Sequence, residues 1–94
     1  VNGAPISMLV DTGASTVVLK PADAERAGID VSALTFSTPV NTANGMTFAA
    51  PVRLRALGIG SIVLDDVEAL VAKPGNLNES LLGMSFLRRL RSYE

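Results

Sequence analysis

Turn-forming residues interrupt this chain at short intervals, and the segments between them are rich in apolar and β-branched side chains. The interruptions fall at Asn2-Gly3, Gly13, Pro21, Gly28, Pro39, Asn44-Gly45, Gly58, Gly60, Pro74-Gly75 and Gly83. Short strands fit between turns of this kind. The spacing therefore predicts a mostly β domain.

Two segments have the pattern of short helices. Residues 21–27 carry a proline in their first turn and are followed by Gly28, and residues 85–91 place Phe86, Leu87 and Leu90 on one face. The other apolar segments are predicted to be extended: residues 6–10, 16–19, 35–38, 46–57 with an interruption at Pro51, 62–64, 67–71 and 81–82.

Both Asn-Gly pairs predict hairpins, because this dipeptide suits a tight two-residue turn. Asn44-Gly45 predicts a hairpin whose second arm begins at Met46. Asn2-Gly3 predicts another, although only Val1 precedes it. We therefore expect that the parent protein continues upstream, and that these 94 residues are a single-domain core fragment lacking its terminal strands.

Composition excludes several classes of function. The chain has no Cys and no His, which removes disulfides, zinc sites of the usual kind and nucleophiles activated by histidine. Eight basic and nine acidic residues provide no positive surface for nucleic acid, and we interpret Arg88, Arg89 and Arg91 as a solvated helix face. No apolar run is long enough to span a membrane, so we expect no membrane contact by this fragment.

Residues 8–15, Met-Leu-Val-Asp-Thr-Gly-Ala-Ser, join an apolar strand to a carboxylate and a turn of small residues. The strand delivers Asp11 to the point where the chain leaves the core, which partly desolvates the carboxylate. Gly13 lets another backbone or a ligand approach closely, and the Thr12 hydroxyl can hold the loop. The alternative interpretation is an aspartate that only begins a turn.

Two further elements are weak when taken alone. Leu81-Leu82-Gly83 is typical of a buried strand that ends in glycine. The Asn44-Gly45 hairpin, with Thr42 and Thr47 on either side, suits a mobile hairpin over a cleft, and it equally suits an ordinary surface hairpin.

The order of these elements resembles that of the retropepsin-like aspartic proteases, most closely the bacterial single-domain type. The resemblance runs from the Asn2-Gly3 turn to Arg91. It implies a mostly β fold, a closed β-barrel that forms one aspartic-protease lobe, with a flap hairpin and one or two short helices.

The same resemblance implies a role for each motif. Asp11 is the expected catalytic carboxylate. The active-site loop continues through Thr12, Gly13, Ala14 and Ser15. In it, Thr12 is expected to bond across a dimer and Gly13 to contact the substrate backbone. The expected flap and substrate-binding residues are Thr42, Ala43, Asn44, Gly45 and Met46. The expected supporting loop is Leu81, Leu82 and Gly83.

One part of the family pattern is replaced. Viral members usually follow the supporting glycine with Arg and Asn, where this chain has Met84 and Ser85. The acidic residues that viral members carry after the Asp-Thr-Gly-Ala sequence are Ser15 and Thr16 here. Both sides of that charge network are therefore missing together.

A single Asp-Thr-Gly sequence predicts a homodimer. Hydrolysis by carboxylates alone needs two of them, one to accept a proton from water and one to donate a proton to the carbonyl. The pair Asp65-Asp66 lacks a glycine, and we interpret it as a solvated step between strands. We interpret four further acidic side chains as surface charges: Asp23, Glu25, Asp30 and Glu68. The second carboxylate is therefore expected from a second copy related by a twofold axis.

The resulting prediction is an aspartic endopeptidase that hydrolyses an extended peptide, with no metal or organic cofactor. The expected cleft walls favour apolar substrate side chains and comprise Ala14, Val18, Met46 and Leu81. The alternatives are a non-catalytic retropepsin-like module for dimerisation or peptide binding, and a structural β domain with a coincidental motif. The resemblance also implies a bacterial periplasmic location, or an inner-membrane anchor in an upstream segment.

Overall fold

Most of the residues in regular secondary structure belong to one β-sheet. The computed structural model describes residues 1–42, 45–59, 62–73, 75 and 79–91. Its strands are β1 (Met8–Val10), β2 (Val17–Leu19), β3 (Thr38–Thr42), β4 (Gly45–Ile59), β5 (Ile62–Ala72) and β6 (Ser80–Leu82). Its helices are α1 (Pro21–Arg26) and α2 (Met84–Arg91), with a 3₁₀ turn at Val31–Ala33. The prediction of a mostly β fold with short helices is confirmed.

The strand order is β1-β6-β2-β5-β4-β3, and the sheet curls into a half-barrel. β6 lies between two strands that are distant from it in sequence, running parallel to β1 and antiparallel to β2. β2 also pairs in parallel with β5. β6, the last strand of the described residues, is therefore inserted beside the strand that leads to Asp11.

Buried side chains of the described residues form two clusters, one on each face of β2. The larger cluster contains Val17 and Leu19 together with the fully buried Phe86 of α2. The smaller cluster contains Val18, which points to the opposite face as strand geometry requires. β2 is thus buried on both faces. The smaller cluster is completed by Ala14, Ala72 and Leu81.

β4 and β5 form a long antiparallel pair, and here two predictions were wrong in detail. β4 continues through Pro51, which lies opposite Leu70. The first residue of β3, Thr38, lies opposite Ala49, so beyond Ala49 β4 has one strand neighbour, and a proline is tolerated at such an edge. The two predicted segments 62–64 and 67–71 are a single strand, because the residues on both sides of Asp66 stay paired with β4, although Asp66 itself has a φ of 58°.

Both predicted helices are confirmed, and each of their boundaries lies within one residue of the prediction. α1 ends at Arg26, and Gly28 leaves it with a φ of 91°. α2 begins at Met84, one residue earlier than predicted. Residues 35–37 lie outside regular structure, and β3 begins at Thr38. Neither helix of the described chain is long and apolar enough to span a bilayer.

One acidic residue differs from its prediction. Asp23 was predicted to be a surface charge, but it is only 4% exposed, and its carboxylate accepts a hydrogen bond from Ser80. Glu25, Asp30 and Glu68 are exposed as predicted. The hydrogen-bond partner of Asp23 lies 57 positions away in the sequence, so no local pattern indicated its burial.

The predicted Asn2-Gly3 turn is present and closes on the sheet. Both residues have positive φ, 50° and 87°, as a type I′ turn requires. The Asn2 Oδ1 accepts hydrogen bonds from the backbone N–H groups of Arg55 (2.8 Å) and Ala56 (3.1 Å). The Asn2 Nδ2 donates to the carbonyl oxygen of Ala27 at 3.2 Å. One turn residue therefore joins β4 to the end of α1.

Replacing Asn2 with Ala should lower the free energy of unfolding by about 2–4 kcal/mol, because it removes three side-chain hydrogen bonds at a position with positive φ. Asn2→Asp is the matched control. It keeps an oxygen for the Arg55 and Ala56 N–H groups, but its second oxygen takes the place of the donor to the Ala27 carbonyl oxygen and repels it, at a cost of about 1–2 kcal/mol. Urea unfolding of both variants measures the difference, and equal midpoints for Asn2→Ala and wild type would contradict the assignment.

Candidate active site

Asp11 lies immediately after β1, in a loop that folds back on itself. Its backbone N–H donates to the carbonyl oxygen of Leu82 at 3.0 Å, and its own carbonyl oxygen accepts from Ala14 N–H at 3.2 Å. The Asp11 Oδ1 accepts from Gly13 N–H at 2.8 Å. Residues 11–15, named here the Asp11 loop, therefore orient the carboxylate through their own backbone. The side chain remains partly exposed and accessible to water.

Gly13 leaves room for that carboxylate. A Cβ atom on residue 13 would lie 3.1 Å from Asp11 Oδ1, tighter than an ordinary van der Waals contact. The glycine thus allows its N–H to reach the carboxylate without a side chain displacing it.

The predicted supporting residues are brought directly against the Asp11 loop. β6 pairs Leu81 with Leu9 and Leu82 with Val10. Gly83 follows β6 and crosses the backbone of Thr16 so closely that an added Cβ would overlap the Thr16 carbonyl oxygen and lie 2.7 Å from its nitrogen. Only glycine is compatible with this crossing.

The first turn of α2 is hydrogen-bonded to the Asp11 loop. The N–H of Met84 donates to the carbonyl oxygen of Ala14, and the N–H of Ser85 donates to that of Ser15, both at 2.9 Å. Helix N-termini present N–H groups without partners in the helix, and here the loop carbonyls accept from two of them.

Hydroxyl groups make a further link between the loop and α2. Ser85 Oγ donates to Thr16 Oγ1 at 3.2 Å, and Thr16 Oγ1 donates to the carbonyl oxygen of Glu68 at 3.5 Å. Thr16 and Ser85 are two of the positions at which the sequence departs from the viral pattern. Neutral hydrogen bonds therefore join these elements at those positions.

The other predicted site residues are distributed as follows. Thr12, Gly13 and Ser15 are exposed, whereas Ala14 is buried.

Gly45 lies opposite Thr42 at the start of β4, and Met46 next to it is 67% exposed. β3 and β1 are at opposite edges of the sheet order, so the sheet does not make these residues strand neighbours of the Asp11 loop. Ala43 and Asn44 lie outside the described residues.

The expected cleft-wall residues fall into two groups. Ala14, Val18 and Leu81 pack together in the smaller core cluster and are 2–7% exposed. Met46 is largely exposed. Sequence reasoning missed two exposed apolar side chains next to Asp11: Leu9 is 54% exposed and Val10 60% exposed, although both belong to an apolar strand. These two side chains are exposed because β1 lies at an edge of the sheet, a position that the sequence does not reveal.

Arg53 and Arg89, both away from the Asp11 loop, have structural partners. Arg53 forms ion pairs with Asp66 at 3.0 Å and with Glu68 at 3.3 Å. The hydrogen bond and charge of Asp66 raise the pKa of Arg53 above its ordinary value. Arg89, predicted to lie on a solvated face, is exposed but donates to the carbonyl oxygens of Asp65 and Asp66 at 2.9 and 3.2 Å. Within the described ranges, no three acidic side chains come together as a metal site would require.

The family follows from a comparison with known proteins. Residues 1–89 match the family described as "gag-polyprotein putative aspartyl protease". The chain belongs to the retropepsin-like aspartyl protease family. The resemblance inferred from the Asp-Thr-Gly and Leu-Leu-Gly motifs is thereby confirmed.

Two bacterial proteins of unassigned function are similar to this family member over nearly its whole length. An uncharacterized Sinorhizobium protein, encoded in the region 5′ of cobV, is 52% identical over 90 residues, which cover 96% of this chain. An uncharacterized Rickettsia prowazekii protein is 40% identical over 93 residues, which cover 99% of this chain. The chain spans 39% of the length of each of these curated relatives.

Solved structures confirm the retropepsin-like fold. A retropepsin-like aspartic protease from Rickettsia conorii superimposes with a TM-score of 0.81 at 40% sequence identity, covering 95% of this chain and 72% of that chain. The EIAV protease, solved with the inhibitor HBY-793, superimposes with a TM-score of 0.72 at 22% identity, covering 96% and 81% of the two chains. The second similarity concerns the fold alone.

Replacing Gly83 with Ala should lower the free energy of unfolding by more than about 3 kcal/mol, because the new methyl group overlaps backbone atoms that cannot rotate away. Gly58→Ala is the control, since a Cβ there would lie 3.4 Å from the Val63 Cγ2, an ordinary contact. We expect Gly58→Ala to unfold in urea within about 1 kcal/mol of wild type. If the two variants unfold at similar urea concentrations, the crossing of residue 83 over the Thr16 backbone does not require glycine.

Proposed function

We propose that this protein is an aspartic endopeptidase that hydrolyses peptide bonds with a water molecule held between two Asp11 carboxylates, one from each copy in a homodimer. The observation that carries the proposal is the hydrogen bonding of Asp11. An exposed strand end presents its carboxylate, Gly13 N–H donates to it, and Leu82 accepts from its backbone. Membership of an aspartyl protease family supports the same chemistry.

The reaction divides acid and base roles between the two carboxylates. The ionised one accepts a proton from the water, which attacks the peptide carbonyl, while the protonated one donates to the carbonyl oxygen. The roles exchange when the tetrahedral intermediate collapses and the amine leaves. Two carboxyl groups about 3 Å apart cannot both ionise, so they hold one proton between them in the resting state.

The requirement for a second copy is supported by the positions of the other acidic side chains. Asp65 and Asp66 are exposed on β5, where their carbonyl oxygens accept from Arg89. Asp23 is buried against Ser80. None of these three shares the loop that holds Asp11, so a symmetric partner is the economical source of the second carboxylate.

The surface around Asp11 supports pairing. Leu9 and Val10 are more than half exposed on the edge strand that leads directly to Asp11. Exposed apolar side chains at an unpaired strand edge favour association with another chain. A twofold contact there would bring the two Asp11 loops together, with the exposed Thr12 side chains available to bond across the axis.

The β3–β4 hairpin is the proposed flap, with Thr42, Ala43, Asn44, Gly45 and Met46 over the substrate. Met46 and Phe48 expose apolar surface on this hairpin, 67% and 42% respectively. Such side chains can cover an extended peptide and exclude water from the reacting groups. We propose that the preferred substrate carries apolar side chains beside the cleaved bond.

Replacing Asp11 with Asn should abolish cleavage of a peptide library, with a loss of at least about 10³-fold in kcat/KM. The Asn side chain keeps an oxygen that can accept from Gly13 N–H, so the fold and peptide binding should be retained. Asp65→Asn makes the same chemical change at an exposed site and should leave cleavage unaltered. If wild type and Asp11→Asn treat every peptide alike, the proposed protease function fails, and a non-catalytic binding module or a structural β domain is the alternative.

Replacing Val10 with Thr should weaken the homodimer. The substitution keeps the β-branched shape and adds a hydroxyl to the proposed apolar contact, so the dissociation constant should rise by roughly 10-fold. Sedimentation equilibrium over a range of concentrations measures it, and cleavage by the variant should recover as protein concentration rises. Val63→Thr is the control, because Val63 is equally exposed at 55% but lies on β5. An equal effect of both substitutions would exclude β1 as the contact.

A further inference from the structure

A buried polar pair lies outside the Asp11 loop and has no part in the proposed chemistry. Ser80 is fully buried and Asp23 is 4% exposed. Ser80 Oγ donates to Asp23 Oδ2 at 2.6 Å and accepts from Lys20 N–H at 3.0 Å. A carboxylate is costly to bury unless it is hydrogen-bonded, and a hydrogen bond to a charged acceptor is short and strong. The bond between Ser80 and Asp23 therefore fixes the relative positions of these two residues.

This pair joins the start of α1 to the first residue of β6. Asp23 lies in the first turn of α1, and its N–H donates to the carbonyl oxygen of Lys20 at 3.0 Å. Ser80 thus contacts both the backbone before the helix and a side chain within it. The start of β6 is therefore hydrogen-bonded to the first turn of α1.

β6 needs such an anchor because it is three residues long. It pairs with β1 through Ser80–Met8, Leu81–Leu9 and Leu82–Val10, and with β2 through Leu81–Val18. A strand this short has few side chains to specify its register, and a slip by one residue would turn each of them to the opposite face. The hydroxyl of Ser80 forms its hydrogen bonds at one register only.

The register of β6 decides where Asp11 is held. Two positions beyond Ser80, the Leu82 carbonyl oxygen accepts from Asp11 N–H. One position further, Gly83 crosses Thr16. A displaced β6 would move both contacts together.

We propose that Asp23 and Ser80 are positioning residues for Asp11: their buried hydrogen bond sets the register of β6 and thereby the place of the Asp11 backbone. The consequence for activity rests on the proposed function. The consequence for the backbone of the Asp11 loop does not.

The first experiment measures the backbone without any substrate. In Ser80→Ala, amide hydrogen exchange followed by NMR on the full chain should accelerate at least 10-fold at Asp11 and Met84, with a smaller change across β4 and β5. Ser32→Ala is the matched control, because Ser32 Oγ also donates to an aspartate, Asp30, at 2.6 Å, but at an exposed site. A uniform acceleration in Ser80→Ala, or no more change at Asp11 than in Ser32→Ala, would overturn the proposal.

The second experiment measures catalysis. Ser80→Ala should reduce kcat by roughly 10- to 100-fold with KM changed less than 2-fold, because a small displacement of a reacting group is costly. A loss of folded protein alone would lower kcat only in proportion to the folded fraction, so an unchanged kcat per folded molecule would overturn the positioning role.

Asp23→Asn covers the case in which Ser80→Ala does not fold. It keeps an acceptor for the Ser80 hydroxyl, so its effects on exchange and kcat should be in the same direction and smaller than those of Asp23→Ala. Equal effects of these two substitutions would overturn the proposal. If wild type cleaves no peptide while exchange at Asp11 responds as expected, the proposed function fails and the positioning of the Asp11 backbone stands.

Discussion

The close crossing of Gly83 over Thr16 is the contact on which the site depends. Two backbone segments approach there without an intervening side chain, so β6 can enter between β1 and β2. Once it is there, the Leu82 carbonyl oxygen accepts from Asp11, and the first N–H groups of α2 reach the carbonyl oxygens of Ala14 and Ser15. A side chain at residue 83 would separate all of these hydrogen-bonded groups, which is why one glycine has consequences on both sides of the Asp11 loop.

The loop is held mainly by backbone groups and hydroxyls. The Gly13 N–H donates to the Asp11 carboxylate, and Ser85 donates to Thr16. The ion pairs that the structure describes, from Arg53 to Asp66 and Glu68, lie on the exposed β4–β5 surface. Hydrogen bonds between neutral groups do not change with pH in the range where carboxylates titrate. The links from the loop to Leu82, Met84 and Ser85 join neutral groups, whereas the Gly13 N–H bond is made to the Asp11 carboxylate itself.

Local features of the fold were predictable because their causes act within a few residues. Asn2 and Gly3 adopt positive φ as their dipeptide indicates, and Gly28 leaves α1 in the left-handed conformation that glycine tolerates. The burial of Phe86 followed from the helical spacing of apolar residues. The continuation of β4 through Pro51 did not follow, because it depends on where β3 begins. The exposure of Leu9 and Val10 depends similarly on the edge position of β1.

The sequence by itself determined the turns, the short helices, the mostly β character and the Asp-Thr-Gly motif that indicated the family. Each of these follows from backbone sterics or from side-chain periodicity along a continuous segment. Only the tertiary structure decided that Asp23 is buried against Ser80, 57 positions away, and that β6 is inserted between β1 and β2. Such contacts join segments that are far apart in the chain. Their partners are selected by the packing of the whole sheet, which no local pattern encodes.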